Sequence, residues 1–481
     1  MGDGYPFPND YQEVYNDRVS DLRDLLDRQL AELNRKDRVQ DAAVIGFLRG
    51  RRSGRRETFQ VEAEVAPTAD SDGPRVLLAG REVIVEAEIL SGQGVRDAVE
   101  AAGFTNRGSA DGPFVRLVNN QIRAQEIRPK IEKLTGTPAM PNTLAVTASV
   151  GKGVGGPDSV LNPMGAESTF ESYRSQARWA PEGPGPIVAV IDTGIPGKDE
   201  DGLRTMIRAD GWLDDVPRGD GNRDLLDHLP QPDGYLDYQA GHGTFVAGIV
   251  QRVAPTAQVR VYRAADTDGL ADETAIADAL QQAFDEGARI INLSLGMTTE
   301  NDEPPPVLET TLKRITNDYS DKEVVIIAAA GNFGDRTRCW PAASPAVHAV
   351  GALIETEDVE NLASARRTGR FETADWSSQG DHIKFWTVGE GVRSTFVTGN
   401  ESPDFDDEPE VFPPNAWALW SGTSFAAPQI AGAVARLQQE RGMTPRQAVD
   451  YLSDAGATVR DQQGTEQKGK GLRILSGIPR H

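Results

Sequence analysis

Two kinds of periodicity run along the chain, and the change between them divides it. Over residues 13–37, Val19, Leu22, Leu25, Leu26, Leu30 and Leu33 recur at helical spacing among alternating acids and bases, which predicts an N-terminal helical segment within 1–40. From 41 to 118 the period shortens. AAVIGFL, ETFQVEAEV, EVIVEAEIL and PFVRLV read as strands, with GQGVRDAVEAAGF as a short helix between the last two. A second helix over 121–134 completes a small α+β domain at 41–134. Residues 135–185 are then crowded with Gly, Pro, Ser and Thr, the composition of a linker.

Beyond residue 186 the apolar runs become continuous. PIVAVIDTG, AQVRVYRA, ARIINLSLG, EVVIIAAAGN and VHAVGAL read as buried parallel strands, and ETAIADALQQAFDEG as an amphipathic helix stopped by Gly287. This alternation predicts an α/β fold with a doubly wound, mostly parallel sheet over 186–481, its functional residues at the C-terminal strand ends. The acidic, proline-bearing stretch GNESPDFDDEPEVFPPN at 399–415 reads as a surface insertion.

Charge and composition narrow the partners. At 481 residues the chain buries an ample core, and with Cys339 as its one cysteine it forms no internal disulfide. A net charge of −23 disfavours nucleic acid and anionic membranes as partners. The basic residues are 40 Arg against 10 Lys, which suits either a salt-rich cytoplasm or a GC-rich genome. The N-terminus shows no basic and apolar leader, and no run of eighteen apolar residues occurs, so a cytoplasmic protein without a membrane span is expected.

Three short motifs carry candidate chemistry. Asp192 closes the apolar strand of AVIDTG, where it serves as an Asx-turn or as an acceptor for an imidazole. His242 lies between glycines in AGHGTFVAGIV, which lets backbone and substrate approach its ring. Ser424, in SGTSFAAPQIAG, stands at the start of a small-residue helix. It is there either an N-cap or a nucleophile beside unpaired N–H donors, and the stretch alone leaves both readings open.

Asp, His and Ser in that order, 50 and 182 residues apart, together with NLSLG and AAAGN between them, resemble the subtilisin-like serine proteases, the subtilases. The resemblance covers about 186–440. It implies a serine endopeptidase in which Ser424 attacks the scissile carbonyl, His242 moves the proton, and Asp192 orients the imidazole. Asn332, in AAAGNFG, then joins the Ser424 N–H in an oxyanion hole. Ser294, Leu295 and Gly296 would form an edge that pairs with substrate backbone. Ala329, Ala330 and Gly331 would line the pocket for the residue before the cleaved bond, with Phe333 at its rim. Such a small, uncharged wall suggests apolar or aromatic side chains there.

No cofactor is required by this reading. Calcium, used by many subtilases, would fall to Asp404, Asp406, Asp407 and Glu408, but without an EF-hand-like spacing a solvated acidic loop is expected. His228, His348 and His382 read as structural or surface residues, and Cys339 as a buried hydrophobe or a redox-sensitive thiol. The partner is a protein or peptide substrate, and the N-terminal region is itself a candidate occupant of the cleft. That region is either an inhibitory pro-region cleaved within 135–185, making the chain a zymogen, or a permanent regulatory domain. The rival functions are a catalytically silent, peptide-binding subtilase relative and a non-proteolytic hydrolase using the same triad.

Overall fold

The computed structural model describes residues 63–65, 76–107, 113–148, 157–160, 185–197, 220–228, 232–318, 323–356, 370–404, 409–413 and 416–475, with Leu213 and Val216. The expected helix at 13–37 and the AAVIGFL strand lie outside these residues.

In the N-terminal part, β1 (Leu77–Glu86), α1 (Gln93–Ala101), β2 (Phe114–Val118), α2 (Ala124–Thr135) and β3 (Met140–Thr147) follow in order. β1 pairs antiparallel with both β2 and β3. Alternate strand residues point to one face, so Val83 and Val85 of β1 and Val115 and Leu117 of β2 meet Val99 of α1 and Ile127 and Ile131 of α2 in one core. Gly136 ends α2 in the left-handed conformation, at φ 73°.

The larger part runs β4 (Ile187–Asp192), α3 (His242–Val253), β5 (Gln258–Arg263), β6 (Leu270–Asp272), α4 (Glu273–Asp285), β7 (Ile290–Leu293) and β8 (Leu295–Gly296). It continues with α5 (Pro306–Lys313), β9 (Val325–Ala329), β10 (His348–Thr356), β11 (Ile383–Val388), β12 (Trp417–Trp420), α6 (Thr423–Arg441), α7 (Pro445–Ala455) and β13 (Glu466–Gly471). The order β5-β4-β7-β9-β10-β11-β13 is parallel throughout. Successive residues of each buried strand serve opposite layers. Val188 and Val190 of β4, with Val325 and Ile327 of β9, pack into the core that holds α3 and α6. Ala189 and Ile191, with Ile326 and Ala328, pack into the core that holds α4 and α5. The chain passes from β4 out to β5 and returns to β7, so the strand order reverses between β4 and β7. An α/β sheet opens a crevice at such a reversal, and Asp192 ends the strand there.

The stretch read as a linker is structured where it matters most. β3 enters between two strands of the larger part. Leu144, Ala145 and Val146 face Asp272, Ala271 and Leu270 of β6, while Val146 and Thr147 face Gly296 and Leu295 of β8. Gly- and Pro-rich flanks conceal a strand sequence, LAVT, whose partners in β6 and β8 lie more than a hundred residues downstream. Asp158–Val160, within the same stretch, pairs antiparallel with β12. The acidic insertion also has an ordered stem. Gly399–Asn400 pairs with Val411–Phe412, and the buried Phe412 ring lies 4.5 Å from Phe396. A solvated loop therefore does not describe the stem, while Asp406, Asp407 and Glu408 lie outside the described residues.

Polar contacts join the two parts. Arg116 of β2, held at 3.6 Å by Glu82 of its own part, reaches Asp272 at 3.3 Å, and Arg128 of α2 meets Glu300 at 2.8 Å. Among the described residues no helix is long and apolar enough to cross a membrane. Nor does any group of three or more His, Cys, Asp or Glu side chains gather to hold a metal ion.

Glu273 supplies a pH-dependent term. It is the first residue of α4 and is fully buried. Burial first, and the neighbouring Asp272 second, push its pKa up to about 8, while the α5 amides of Leu308 and Val307 oppose the rise. A raised native pKa favours the folded state below the unfolded value, and that advantage disappears as pH climbs through the native one. The melting temperature of the wild type is therefore expected to fall between about pH 5 and pH 9, followed by differential scanning fluorimetry. Glu273→Gln is expected to flatten that decline, and an unchanged slope would remove Glu273 as its source.

Candidate active site

The residues are assembled by the ends of three elements. β4 delivers Asp192, fully buried, to the sheet's crevice, and α3 begins with His242. Gly241 precedes that helix at φ 88°, where a Cβ would press within 2.7 Å of Phe396 and 2.8 Å of Val397. Gly243 lies so close to Gly194 that a side chain would collide with its carbonyl oxygen. Gly243 lets the first turn of α3 sit against the residues just past β4, and Gly241 lets it sit against Phe396 and Val397. As a result His242 Nδ1 lies 2.7 Å from Asp192 Oδ1.

A polar bracket holds this pair. The Thr193 amide donates to Asp192 Oδ1 at 2.7 Å, and the Gly243 amide donates to Thr193 Oγ1 at 3.0 Å. Thr193 Oγ1 donates in turn to Asp224 Oδ2 at 3.0 Å, which also accepts from the Gly241 amide at 2.9 Å. Burial pushes the Asp224 carboxyl above its ordinary pKa, against the pull of these donors. Asp224 ties both strand end and helix start to one side chain. In the sequence it sits in DGNRDLLD, indistinguishable from a solvated acidic run, and the reading above missed it.

The rest of the histidine ring is enclosed by aromatic groups. Trp420 stands edge-on at 5.5 Å and Phe425 lies tilted at 5.5 Å. His242 Nε2 is buried without a hydrogen-bond partner. Ser424, the second residue of α6, does not supply one. Its Oγ donates to the Ser294 carbonyl at 2.9 Å. The structure thus joins Asp192 and His242 by a hydrogen bond, while Ser424 Oγ turns to Ser294 and no Ser–His hydrogen bond forms.

Asn332 is oriented from the same helix. Its Oδ1 accepts from the Thr423 amide at 3.0 Å and from Thr423 Oγ1 at 2.9 Å, and Nδ2 donates to no described residue. Thr423 Oγ1 also accepts from the Gly331 amide at 3.1 Å, which fixes the 329–332 segment against α6. Ala329, Ala330 and Gly331 are buried, and Phe333 is half-buried with its amide on Ser378 Oγ at 3.1 Å. Ser294 Oγ bridges Asn292 Nδ2 at 2.9 Å and the Ser424 carbonyl at 2.8 Å.

The crevice is occupied by the chain itself. Past β3, the Ala148 amide donates to the Ser294 carbonyl at 3.1 Å, and the Ser424 amide donates to the Ala148 carbonyl at 2.9 Å. Residues 144–148 thus lie as the middle strand between β6 and β8, with a peptide carbonyl on the backbone N–H of Ser424. Residue 149 lies outside the described residues.

The remaining candidates are elsewhere. His348 opens β10 beside Phe385, and burial pulls its pKa down to about 4, so it stays neutral. Burial also lowers His382. His228 is half-buried rather than on the surface, its amide on Asp237 Oδ2 at 2.7 Å. Cys339 is buried, and burial pushes its thiol up to about 12, which keeps it protonated and leaves little thiolate to react.

The chain is 28% identical over 376 residues to a thermophilic serine proteinase of Bacillus sp. (strain AK1), covering 71% of this chain and 82% of that protein. It is 28% identical over 287 residues to thermitase of Thermoactinomyces vulgaris, covering 57% of this chain and 82% of thermitase. The fold is similar to fervidolysin from Fervidobacterium pennivorans, a keratinolytic enzyme related to subtilisin, with a TM-score of 0.56 at 20% identity. That match covers 87% of this chain and 63% of fervidolysin. The model of the subtilase family matches residues 183–471, more than half of the sequence, and the chain belongs to that family.

Proposed function

We propose that this chain is a serine endopeptidase working through Ser424, His242 and Asp192, and that its N-terminal region restrains it by occupying the cleft. The observation that carries the reading is the buried 2.7 Å Asp192–His242 pair beside a serine whose amide already holds a peptide carbonyl. Ser424 Oγ leaves the Ser294 carbonyl, gives its proton to His242 Nε2 and bonds to the substrate carbonyl carbon. The negative charge passes to the carbonyl oxygen, between the Ser424 N–H and Asn332 Nδ2. Because Oδ1 of Asn332 is held by Thr423, its NH₂ is available without reorganisation during the reaction. The C–N bond then breaks, and the same proton goes from Nε2 to the leaving amine. Water repeats the sequence on the acyl-enzyme and releases the acid. Asp192 stabilises the imidazolium at each stage from a site that excludes water.

The second reading, a silent peptide binder, is favoured by one observation: Ser424 Oγ is bonded to a carbonyl while His242 Nε2 lacks a partner. A fluorophosphonate probe and a casein-release assay separate the two. Both are run on the full chain and on protein whose N-terminal region has been nicked by a second protease. The endopeptidase reading expects an adduct at Ser424 and release of casein peptides from the nicked protein. Peptide retention without an adduct or release would support the binder.

Substitutions give graded expectations. Ser424→Ala is expected to abolish the adduct and lower kcat by about 10⁴-fold or more. Asp192→Asn is expected to cost about 10⁴-fold in kcat, the effect of holding the wrong tautomer. Asn332→Ala is expected to cost about 10²–10³-fold in kcat with KM nearly unchanged, because its donor acts on charge that exists only in the transition state. A rise in KM alone would place Asn332 in substrate binding.

A further inference from the structure

Between the two candidate substrate-facing segments, 294–296 and 329–331, lies the side chain of Cys339. A Cβ built on Gly296 would collide with Cys339 Sγ. One built on Gly331 would lie 3.0 Å from both the Cβ and the Sγ of Cys339, and 3.0 Å from Ser378 Oγ. The thiol therefore packs against the bare faces of both glycines and spans the gap between their strands.

Cys339 has nowhere to retreat. Trp340, the next residue, exchanges two backbone hydrogen bonds of 2.8 Å with Met297, one residue beyond β8. The Cys339 carbonyl accepts from the Ala343 amide at 2.9 Å. Ser378 is held from the other side, its amide on the Gly331 carbonyl at 2.9 Å. A well-packed site of this kind accommodates added volume only by straining its neighbours.

A second observation meets the first. The residue whose carbonyl rests on the Ser424 amide is Ala148, with one methyl group as its side chain. We infer that Cys339 is the specificity-determining residue of this protease, limiting the side chain before the cleaved bond to about the size of alanine. This departs from the apolar or aromatic preference expected from the uncharged walls, because the thiol limits the depth of the pocket. The inference rests on the reading of Ser424 as nucleophile and deepens it. Its substrate class is peptides with Gly, Ala or Ser at that position, ahead of those with Leu or Phe.

The test compares peptides that differ only at that position, Ala against Leu and Phe, with wild type, Cys339→Gly and Cys339→Ser, all nicked as before. Wild type is expected to favour Ala over Phe by at least about tenfold in kcat/KM, a pocket effect of ordinary size. Cys339→Gly is expected to shift the kcat/KM ratio of Phe or Leu over Ala by about tenfold or more toward the larger side chain. Cys339→Ser, nearly the same shape, is expected to keep the wild-type ranking. A wild type that prefers Phe, or an active Cys339→Gly with an unchanged ranking, would overturn the inference and leave the protease reading intact. No hydrolysis of the Ala peptide by wild type would overturn both. A measurement that leaves Cys339 in place runs in parallel, because the chain carries its own test residue. Full-length Ala148→Gly is expected to be cut after residue 148 and Ala148→Phe to stall, as read by intact mass. Equal processing of the two would contradict the inference.

Discussion

The structure turns on a strand that belongs to one part of the chain and is completed by another. Residues 144–147 fill a gap between β6 and β8, two short strands with little to hold them in register alone. Each short edge presents unpaired N–H and C=O groups, and an inserted strand satisfies both at once. The same hydrogen bonds fix where the strand ends. After Thr147, the Ala148 amide and carbonyl are taken by Ser294 and Ser424, so pairing along the edge decides which carbonyl reaches the serine. A slip of one residue would exchange the inward and outward faces of the strand and remove the small residue from the position beside Ser424.

Around that carbonyl, polar groups are arranged by elements that barely touch water. Asp192 and His242 are bonded in a dry setting made by Trp420, Phe425 and the sheet. Low polarity strengthens their interaction, and Asp224 and Thr193 take up the Gly241 and Gly243 amides beside them. Ser424 shares its helix with Thr423, which orients Asn332. Ser424 and the groups that hold Asn332 thus share one turn of α6. The Ser294 carbonyl accepts from both Ala148 N and Ser424 Oγ, so strand docking and serine orientation meet on one oxygen atom.

Much of the larger part was legible because local sequence and global fold agree there. PIVAVIDTG and EVVIIAAAGN are continuously apolar since both faces of a parallel sheet are covered, and their ends stop where the crevice opens. Asp192, His242 and Ser424 could be singled out at a strand end and two helix starts, and their roles, with that of Asn332, came from the resemblance to the subtilases. Other features were hidden for equally physical reasons. β3 looks like linker because its partners are remote in sequence and its flanks are rich in Gly and Pro. Asp224 lies in an acidic run that gives no hint of burial. Cys339 could be read as a small hydrophobe, but its contact with Gly296 and Gly331 depends on the pairing of Trp340 with Met297, which no local pattern announces. The Ser424 Oγ bond to Ser294 is a choice of side-chain direction, and sequence carries no record of it.

The central claim is that this chain presents its own Ala148 carbonyl to Ser424 as the first substrate. Sequencing the N-terminus of purified wild-type protein, with Ser424→Ala prepared in parallel, tests it most directly. The account expects a wild-type product beginning at Ser149 and an intact inactive variant. A wild type that stays whole under conditions where it cleaves added peptides, or one cut at the same place without Ser424, would contradict it.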